Sequence, residues 1–221
     1  MQENSFKRNV KGFTLTEVLI TLGIFSIMGA GIFIVLSGGK STWFDTDTSI
    51  ELQQDLRIVL EKTTRELHES GFDKNGVLQA NINDGVGPNG TDTLRFSIPT
   101  VCHGGDSVVD SSGDVVHWRA PLIWGCTQSS CMDADNDCNT IDYQFIEYGV
   151  DAQDQFVRKV ISGAGLVVRQ DIFANNISDF QVDATVDGGL VTLSISAQKN
   201  SPTGRALSAA ASMAVYLRNR G

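Results

Sequence analysis

Hydrophobic and polar residues divide the chain into an apolar N-terminal segment, an amphipathic segment and a long region of alternating residues. Residues 13–36 are mostly Leu, Ile, Val, Phe, Gly and Ala. As a helix they would extend about 36 Å, which is enough to span a bilayer. Lys7, Arg8 and Lys11 precede this segment, against one acidic residue, Glu3. Because basic residues stay on the cytoplasmic side, the pattern predicts a single membrane-spanning helix with a cytoplasmic N-terminus.

The next segment has the three- and four-residue spacing of an amphipathic helix. This spacing places one set of side chains on a single helix face over residues 48–70. The set is Leu52, Leu56, Val59, Leu60, Thr63 and Leu67. Gly71 is predicted to end the helix, and the pair Gly38-Gly39 is a point at which it could bend or loosen. We therefore predict one long N-terminal helix whose second half, residues 37–72, packs on a globular domain.

Beyond residue 75 the spacing of apolar residues changes to two, as in half-buried strands. The alternating sets are Leu94, Phe96 and Ile98; Tyr143 and Phe145, followed less regularly by Val157 and Val160; Val191, Leu193, Ile195 and Ala197; and Leu207, Ala209, Ala211, Met213, Val215 and Leu217. Turn-forming sequences such as Asp187-Gly188-Gly189 separate them. The predicted fold class is therefore α+β, with a long N-terminal α-helix, transmembrane in its first half, packed on a mostly antiparallel β domain at residues 73–221.

The charge of the chain argues against nucleic acid as a partner. The formal net charge is −9 and the pI is about 4.7, whereas phosphate binding requires clustered Lys and Arg. The three histidines, His68, His103 and His117, do not lie in a recognisable motif with Ser or Cys. No Gly-rich stretch lies between a predicted strand and helix in a phosphate-binding pattern. We therefore predict that the protein is not an enzyme.

Glu17 is a carboxylate at the start of the apolar segment, where an unpaired charge is costly in lipid. A signal anchor or a secretory signal peptide would explain the apolar residues, with residues 37–39 as a small-residue cleavage site, but it would not explain Glu17. Residues 11–17, Lys-Gly-Phe-Thr-Leu-Thr-Glu, resemble the processing motif of type IV prepilins. In that family a prepilin peptidase cuts after the Gly, and the new N-terminal residue, usually Phe, is methylated. The fifth residue of the mature chain is Glu.

Gly12, Phe13 and Glu17 are in register with this motif. The resemblance implies that residues 1–12 are a leader peptide and that residues 13–36 form a transmembrane and filament-core helix. It also implies that Glu17 is an assembly residue, paired with the N-terminal amine of a neighbouring subunit, and that no cofactor is required. The structural alternative is that Glu17 extends its carboxylate to the lipid headgroups.

Short segments of the helix and the β domain resemble the larger minor pilins. These are the PilW-like minor pilins of type IV pili and the GspJ-like minor pseudopilins of type II secretion. The segments are residues 52–57, 64–72, 92–96, 176–180 and 215–219. This resemblance implies a structural subunit of the bacterial inner membrane that joins or primes a type IV pilus-like filament and later lies in a periplasmic or cell-surface filament. Its partners would be other pilins and prepilin peptidase. Type IV pili, type II secretion and DNA uptake share this N-terminus.

All four cysteines lie in a predicted insertion at about residues 101–140: Cys102, Cys126, Cys131 and Cys138. Outside the inner membrane they are expected to form two disulfides, each of which adds about 2–4 kcal/mol of stability. Three pairings are open, and Cys126–Cys131 with Cys102–Cys138 is weakly favoured. A zinc site that includes His103 is the alternative, although the segment has no Cys-x2-Cys pair. Cysteines bunched in mid-chain, instead of closing a C-terminal loop, favour a minor subunit.

Asp133, Asp135 and Asp137 alternate as at the start of an EF-hand calcium loop. The sixth position of that loop is Cys138 in place of Gly, and the twelfth is Gln144 in place of Glu. A looser calcium site is therefore one interpretation, and a solvated acidic turn is the other. With calcium, the alternative function is a tip adhesin or a calcium-dependent ligand-binding module of the filament.

Overall fold

The computed structural model describes residues 12–72, 77–99, 111, 118–121, 124, 143–185 and 189–217. Within these residues one long helix, α1 (Leu15–His68), precedes ten strands. The strands are β1 (Ala80–Asn83), β2 (Thr93–Phe96), β3 (Ile98–Pro99), β4 (Trp118–Arg119), β5 (Tyr143–Val150), β6 (Phe156–Ser162), β7 (Val167–Ala174), β8 (Ile177–Thr185), β9 (Leu190–Asn200) and β10 (Ala206–Tyr216). The α+β fold class is confirmed, because the long helix packs on antiparallel sheets.

The helix α1 is continuous over 54 residues, or about 80 Å. The helix is unbroken at Gly38-Gly39, the point where it could bend or loosen: both glycines are helical, and Thr42 Oγ1 donates to the Gly38 carbonyl at 3.1 Å. Gly71 is also not the helix end. The helix ends at His68, where Glu69 is the C-cap and donates its N–H to Glu66 and Leu67.

The strands form a five-stranded sheet in the order β1-β2-β5-β6-β7, a three-stranded sheet in the order β10-β9-β8, and the β3-β4 pair. Every pairing between them is antiparallel. The second half of α1 packs on β10, β9 and β7. Its six predicted core residues, Leu52, Leu56, Val59, Leu60, Thr63 and Leu67, are all buried. The buried face of α1 that the sequence predicted is therefore confirmed.

A buried carboxylate joins the two larger sheets. Asp92 lies just before β2 and is 2% exposed. One of its oxygens accepts from the Gly85 N–H and the other from the Val182 N–H, both at 2.8 Å. The Asp92 N–H donates to the Phe180 carbonyl at 2.8 Å. Because Phe180 and Val182 belong to β8, Asp92 links the three-stranded sheet to the five-stranded sheet.

Candidate functional site

The first half of α1 makes no buried contact with the rest of the described chain. Every residue from Gly12 to Lys40 is exposed. Large apolar side chains carry most of this exposure, including Phe13 at 80%, Phe25 at 78% and Ile27 at 76%. An apolar surface of this extent marks a site that lipid or other proteins cover. Among the described residues, α1 is the one helix long and apolar enough to cross a membrane.

The polar groups of this half are arranged for an apolar environment. No charged residue lies between Glu17 and Lys40, a distance of about 34 Å along the helix, close to the thickness of a bilayer core. The Thr21 hydroxyl donates to the Glu17 carbonyl at 2.9 Å. The Ser26 hydroxyl donates to the Leu22 carbonyl at 2.8 Å. These side chains are thus satisfied within their own helix, as lipid requires.

Glu17 lies in the first turn of α1. Thr14 is the N-cap, and its hydroxyl accepts from the Glu17 N–H at 3.4 Å. Thr-Leu-Thr-Glu at residues 14–17 is the sequence pattern of a capping box, which by itself predicts a helix start at this position. A carboxylate in the first turn is also favoured by the helix dipole. Within the described part of the chain, no ion pair or hydrogen bond engages the Glu17 carboxylate, so it is free to meet a cation from another molecule.

The other predicted processing residues lie immediately before this turn. Gly12 and Phe13 are both exposed, and no atom outside the adjacent chain lies within 4 Å of the position that a Gly12 side chain would take. Their roles as cleavage and methylation positions, like the assembly role of Glu17, stay predictions. The predicted disulfide residues Cys102, Cys126, Cys131 and Cys138, the alternative zinc ligand His103, and the predicted calcium ligands Asp133, Asp135 and Asp137 lie outside the described residues.

The second half of α1 is fixed to the β domain by a buried ion pair that sequence reasoning missed. Arg158 on β6 is 0% exposed, and Glu66 on α1 is 5% exposed. Arg158 Nε donates to Glu66 Oε2 at 2.9 Å and Nη2 donates to Oε1 at 3.0 Å. Arg158 Nη2 also donates to the Pro121 carbonyl at 2.7 Å. Bidentate geometry of this kind gives a strong and directional contact.

The sheet register supplies the remaining partners of this pair. Arg158 lies directly opposite Tyr148 on β5 and opposite Asp171 on β7. The Tyr148 hydroxyl donates to Glu66 Oε2 at 2.8 Å, and Asp171 Oδ2 lies 3.8 Å from Arg158 Nη1. Burial, followed by the negative charge of Glu66, raises the pKa of Tyr148 well above its usual value. The tyrosine therefore remains a hydrogen-bond donor across the physiological pH range.

A second set of polar contacts lies nearer the apolar half of α1, at the turn between β9 and β10. Lys199 Nζ contacts both carboxylate oxygens of Glu51, at 2.6 and 2.7 Å. Thr203 Oγ1 donates to Asp45 at 2.9 Å, and Arg205 lies 3.6 Å from the same carboxylate. Hydrogen bonds from Ser201 and Thr203, together with the Arg205 charge, lower the pKa of Asp45. The helix is thus held to the domain by polar contacts from Asp45 onwards, and it is fully exposed up to Lys40.

Comparison with known families agrees with this architecture. Residues 7–33 match the family described as the prokaryotic N-terminal methylation motif. The long helix with an uncovered apolar half, the antiparallel sheets on its other half and this motif together support a type IV pilin-like protein, a structural rather than an enzymatic class. No curated protein and no solved structure matches the chain significantly.

Proposed function

We propose that the protein is a minor pilin or pseudopilin, a structural subunit that joins or primes assembly of a type IV pilus-like filament. The observation that carries this proposal is the fully exposed apolar half of α1, which continues without a break into a half buried in the β domain. The uncovered half requires an apolar environment. Lipid supplies it before assembly, and the helices of neighbouring subunits supply it afterwards.

The positions of charged and aromatic residues along α1 support a membrane-bound stage. The chain would cross the inner membrane once, with residues 1–12 in the cytoplasm and the β domain on the other side. Lys40 and Trp43 follow the uncharged segment, and Trp43 is 71% exposed. A cation and an indole at this depth suit the headgroup region of the outer leaflet. Prepilin peptidase would then cut after Gly12 and leave a methylated amine on Phe13.

In the filament, Glu17 would pair with the Phe13 amine of a neighbouring subunit. The carboxylate needs a cationic partner, because an isolated charge among apolar helices is costly. An amine is created within one helical turn of Glu17 in every processed chain, so each subunit supplies both the donor and the acceptor. Pairing between subunits would set their axial register, while the apolar side chains of α1 supply non-directional attraction.

The experiment that tests this role compares Glu17→Ala with Thr21→Ala in the full-length chain. Both substitutions shorten a polar side chain in the same region of the helix, but the Thr21 hydroxyl bonds only to its own helix backbone. We expect both variants to reach the membrane at wild-type levels and to be processed. The Glu17→Ala chain should fall at least about tenfold in the assembled filament fraction, equivalent to one lost charged contact. Thr21→Ala should assemble normally. Normal incorporation of Glu17→Ala would contradict the proposal.

A further inference from the structure

Among the described residues, nothing pairs with the outer edge of β10 from Ala206 to Ala214. This strand is an edge of the three-stranded sheet, and it pairs with β9 in unbroken antiparallel register from Ala206 to Tyr216. The backbone bonds at the two ends of the pairing define which groups face β9. The Ser201 N–H donates to the Arg205 carbonyl at 2.8 Å, and the Leu217 N–H donates to the Gly189 carbonyl at 2.9 Å.

These two bonds place odd-numbered residues of β10 in the hydrogen-bonded pairs with β9. Because bonded and non-bonded pairs alternate in an antiparallel ladder, the even-numbered residues direct their N–H and C=O groups away from β9. The residues concerned are Ala206, Ser208, Ala210, Ser212 and Ala214. Within the described residues, no strand or loop accepts or donates a hydrogen bond at these positions. The result is a row of backbone donors and acceptors that another strand can use.

The features that normally block such an edge are missing from β10. Residues 206–216 contain no charged residue and no Pro, and the register has no bulge. The edge strand β7 of the larger sheet has two of these protective features. It carries the charged residues Arg169 and Asp171, and its pairing with β6 has two register shifts. The other edge of that sheet, β1, has only four residues. The other edge of the three-stranded sheet, β8, already bonds to Asp92 through Phe180 and Val182. Among the described edges of the two larger sheets, the β10 edge is therefore the best suited to strand addition.

A cleft of about 220 Å³ lies between β10 and α1, beside this edge. Leu56 and Leu60 from the helix and Met213 from the strand supply its apolar lining, and Met213 is 41% exposed. Arg57 also lines the cleft, is exposed, and has no ion pair within the part of the chain that the structure describes. An added strand with an apolar side chain in the cleft and an acidic side chain near Arg57 would complement both features.

We propose that the free edge of β10 binds an extended segment of a neighbouring filament subunit, running antiparallel to β10, with an apolar residue in the cleft and an acidic residue at Arg57. This inference rests on the proposed function. The geometry disfavours the β10 edge of a second copy as the occupant. Asp45 of α1 contacts Arg205 just before β10, and Leu60 lies near Met213, so β10 runs in the same direction as α1. Chains anchored in one membrane present β10 in one direction, and two such edges cannot pair antiparallel.

The test introduces a photo-crosslinking amino acid at Ser212 of the full-length chain in cells that assemble the filament. The cross-linked peptide is then identified by mass spectrometry. We expect a cross-link to an extended segment of a different pilin-class subunit. Ser208→Pro should reduce its yield at least about tenfold, because Pro removes an outward N–H and no bond to β9. Ser208→Ala retains that N–H and should leave the yield unchanged.

The thermal transition of each variant and its cleavage after Gly12 are measured on the same samples. Ser208→Pro should retain the wild-type thermal transition, whereas Ala209→Pro, which removes a bond to β9, should lower it. A processed, folded chain with no cross-link, with a cross-link only to another copy of itself, or with a yield unaffected by Ser208→Pro overturns the proposal. A chain that is not cut after Gly12 overturns the proposed function and this choice of occupant with it.

Discussion

Arg158 of β6 holds both carboxylate oxygens of Glu66 on α1, at 2.9 and 3.0 Å, in a position where both side chains are buried. This contact connects α1 with β6, an interior strand of the five-stranded sheet. The second half of α1 is therefore held to the sheet by directional bonds, and the same continuous helix carries the exposed apolar half.

Removal of Arg158 should be strongly destabilising. Arg158→Met leaves the Glu66 charge buried without its cation, and we expect the free energy of unfolding to fall by about 3–5 kcal/mol. Arg158→Met combined with Glu66→Gln should recover part of this loss, because the neutral amide still accepts from Tyr148. Denaturant unfolding of the detergent-solubilised chain measures both values. A double variant as unstable as the sum of the two single variants would contradict this account.

Tyr148→Phe should cost about 1.5–3 kcal/mol, the range for a hydrogen bond to a charged group. The substitution should also change how the free energy of unfolding depends on pH at high pH. The pKa of Tyr148 is raised in the folded protein, so its contribution to stability is complete below the ordinary value of 10.0 and is lost as the pH rises above it. The wild-type chain should therefore lose more stability than Tyr148→Phe between pH 9 and pH 11, a range set by that ordinary value. Parallel loss in both proteins would exclude this contribution.

The contact of Asp45 with the β9–β10 turn predicts the opposite pH dependence. The pKa of Asp45 is lowered by hydrogen bonds from Ser201 and Thr203 and by the charge of Arg205. Its contribution is present above the ordinary value of 3.8 and is lost as the pH falls through the lower, folded value. The difference in Tm between the wild type and Asp45→Asn should be constant near neutral pH and should shrink below pH 3.8. A difference that persists unchanged at the lowest pH would contradict this cause.

Asp92 should be the most sensitive residue at the junction of the two sheets. Asp92→Ala removes the acceptors for the N–H groups of Gly85 and Val182, and we expect a loss of about 2–4 kcal/mol. Asp183→Ala is the matched control, since Asp183 lies on the same strand as Val182 and is exposed. It should change the free energy of unfolding by less than about 0.5 kcal/mol. Equal effects in the two variants would show that the bridge contributes no special stability.

The sequence predicted those helices and strands whose buried face appears as a regular spacing of apolar residues along the chain. The spacing of Leu52 to Leu67 predicted the buried face of α1, and the alternation of Val191, Leu193 and Ile195 predicted a strand with one buried face. Both are confirmed because burial of one face imposes its period on the residue pattern. The helix is not interrupted at Gly38-Gly39, where the sequence allowed a bend or loosening, because the turns on both sides retain helical hydrogen bonds that outweigh the roughly 1 kcal/mol cost of a glycine.

The contacts between distant residues were not predictable from the pattern. Arg158 and Glu66 are charged residues, which are ordinarily read as exposed, and 92 positions separate them. Their pairing depends on the register that places Arg158 beside Tyr148, and register is a property of the folded sheet. The candidate assembly site was accessible to sequence reasoning because Gly12, Phe13 and Glu17 lie within one short segment. The open edge of β10 could not be identified from the sequence, because it depends on which strands are neighbours in the folded sheet.

The central claim is that the chain is processed after Gly12 and assembles through its exposed helix. Mass spectrometry of the N-terminal peptide, from sheared surface fibres and from the inner membrane, tests it most directly. The account predicts a peptide that begins at methylated Phe13. Its presence in the fibres identifies a pilus subunit, and its restriction to the membrane identifies a pseudopilus or initiating subunit. An intact Met1 terminus, or a cleavage near Gly39, would contradict the account.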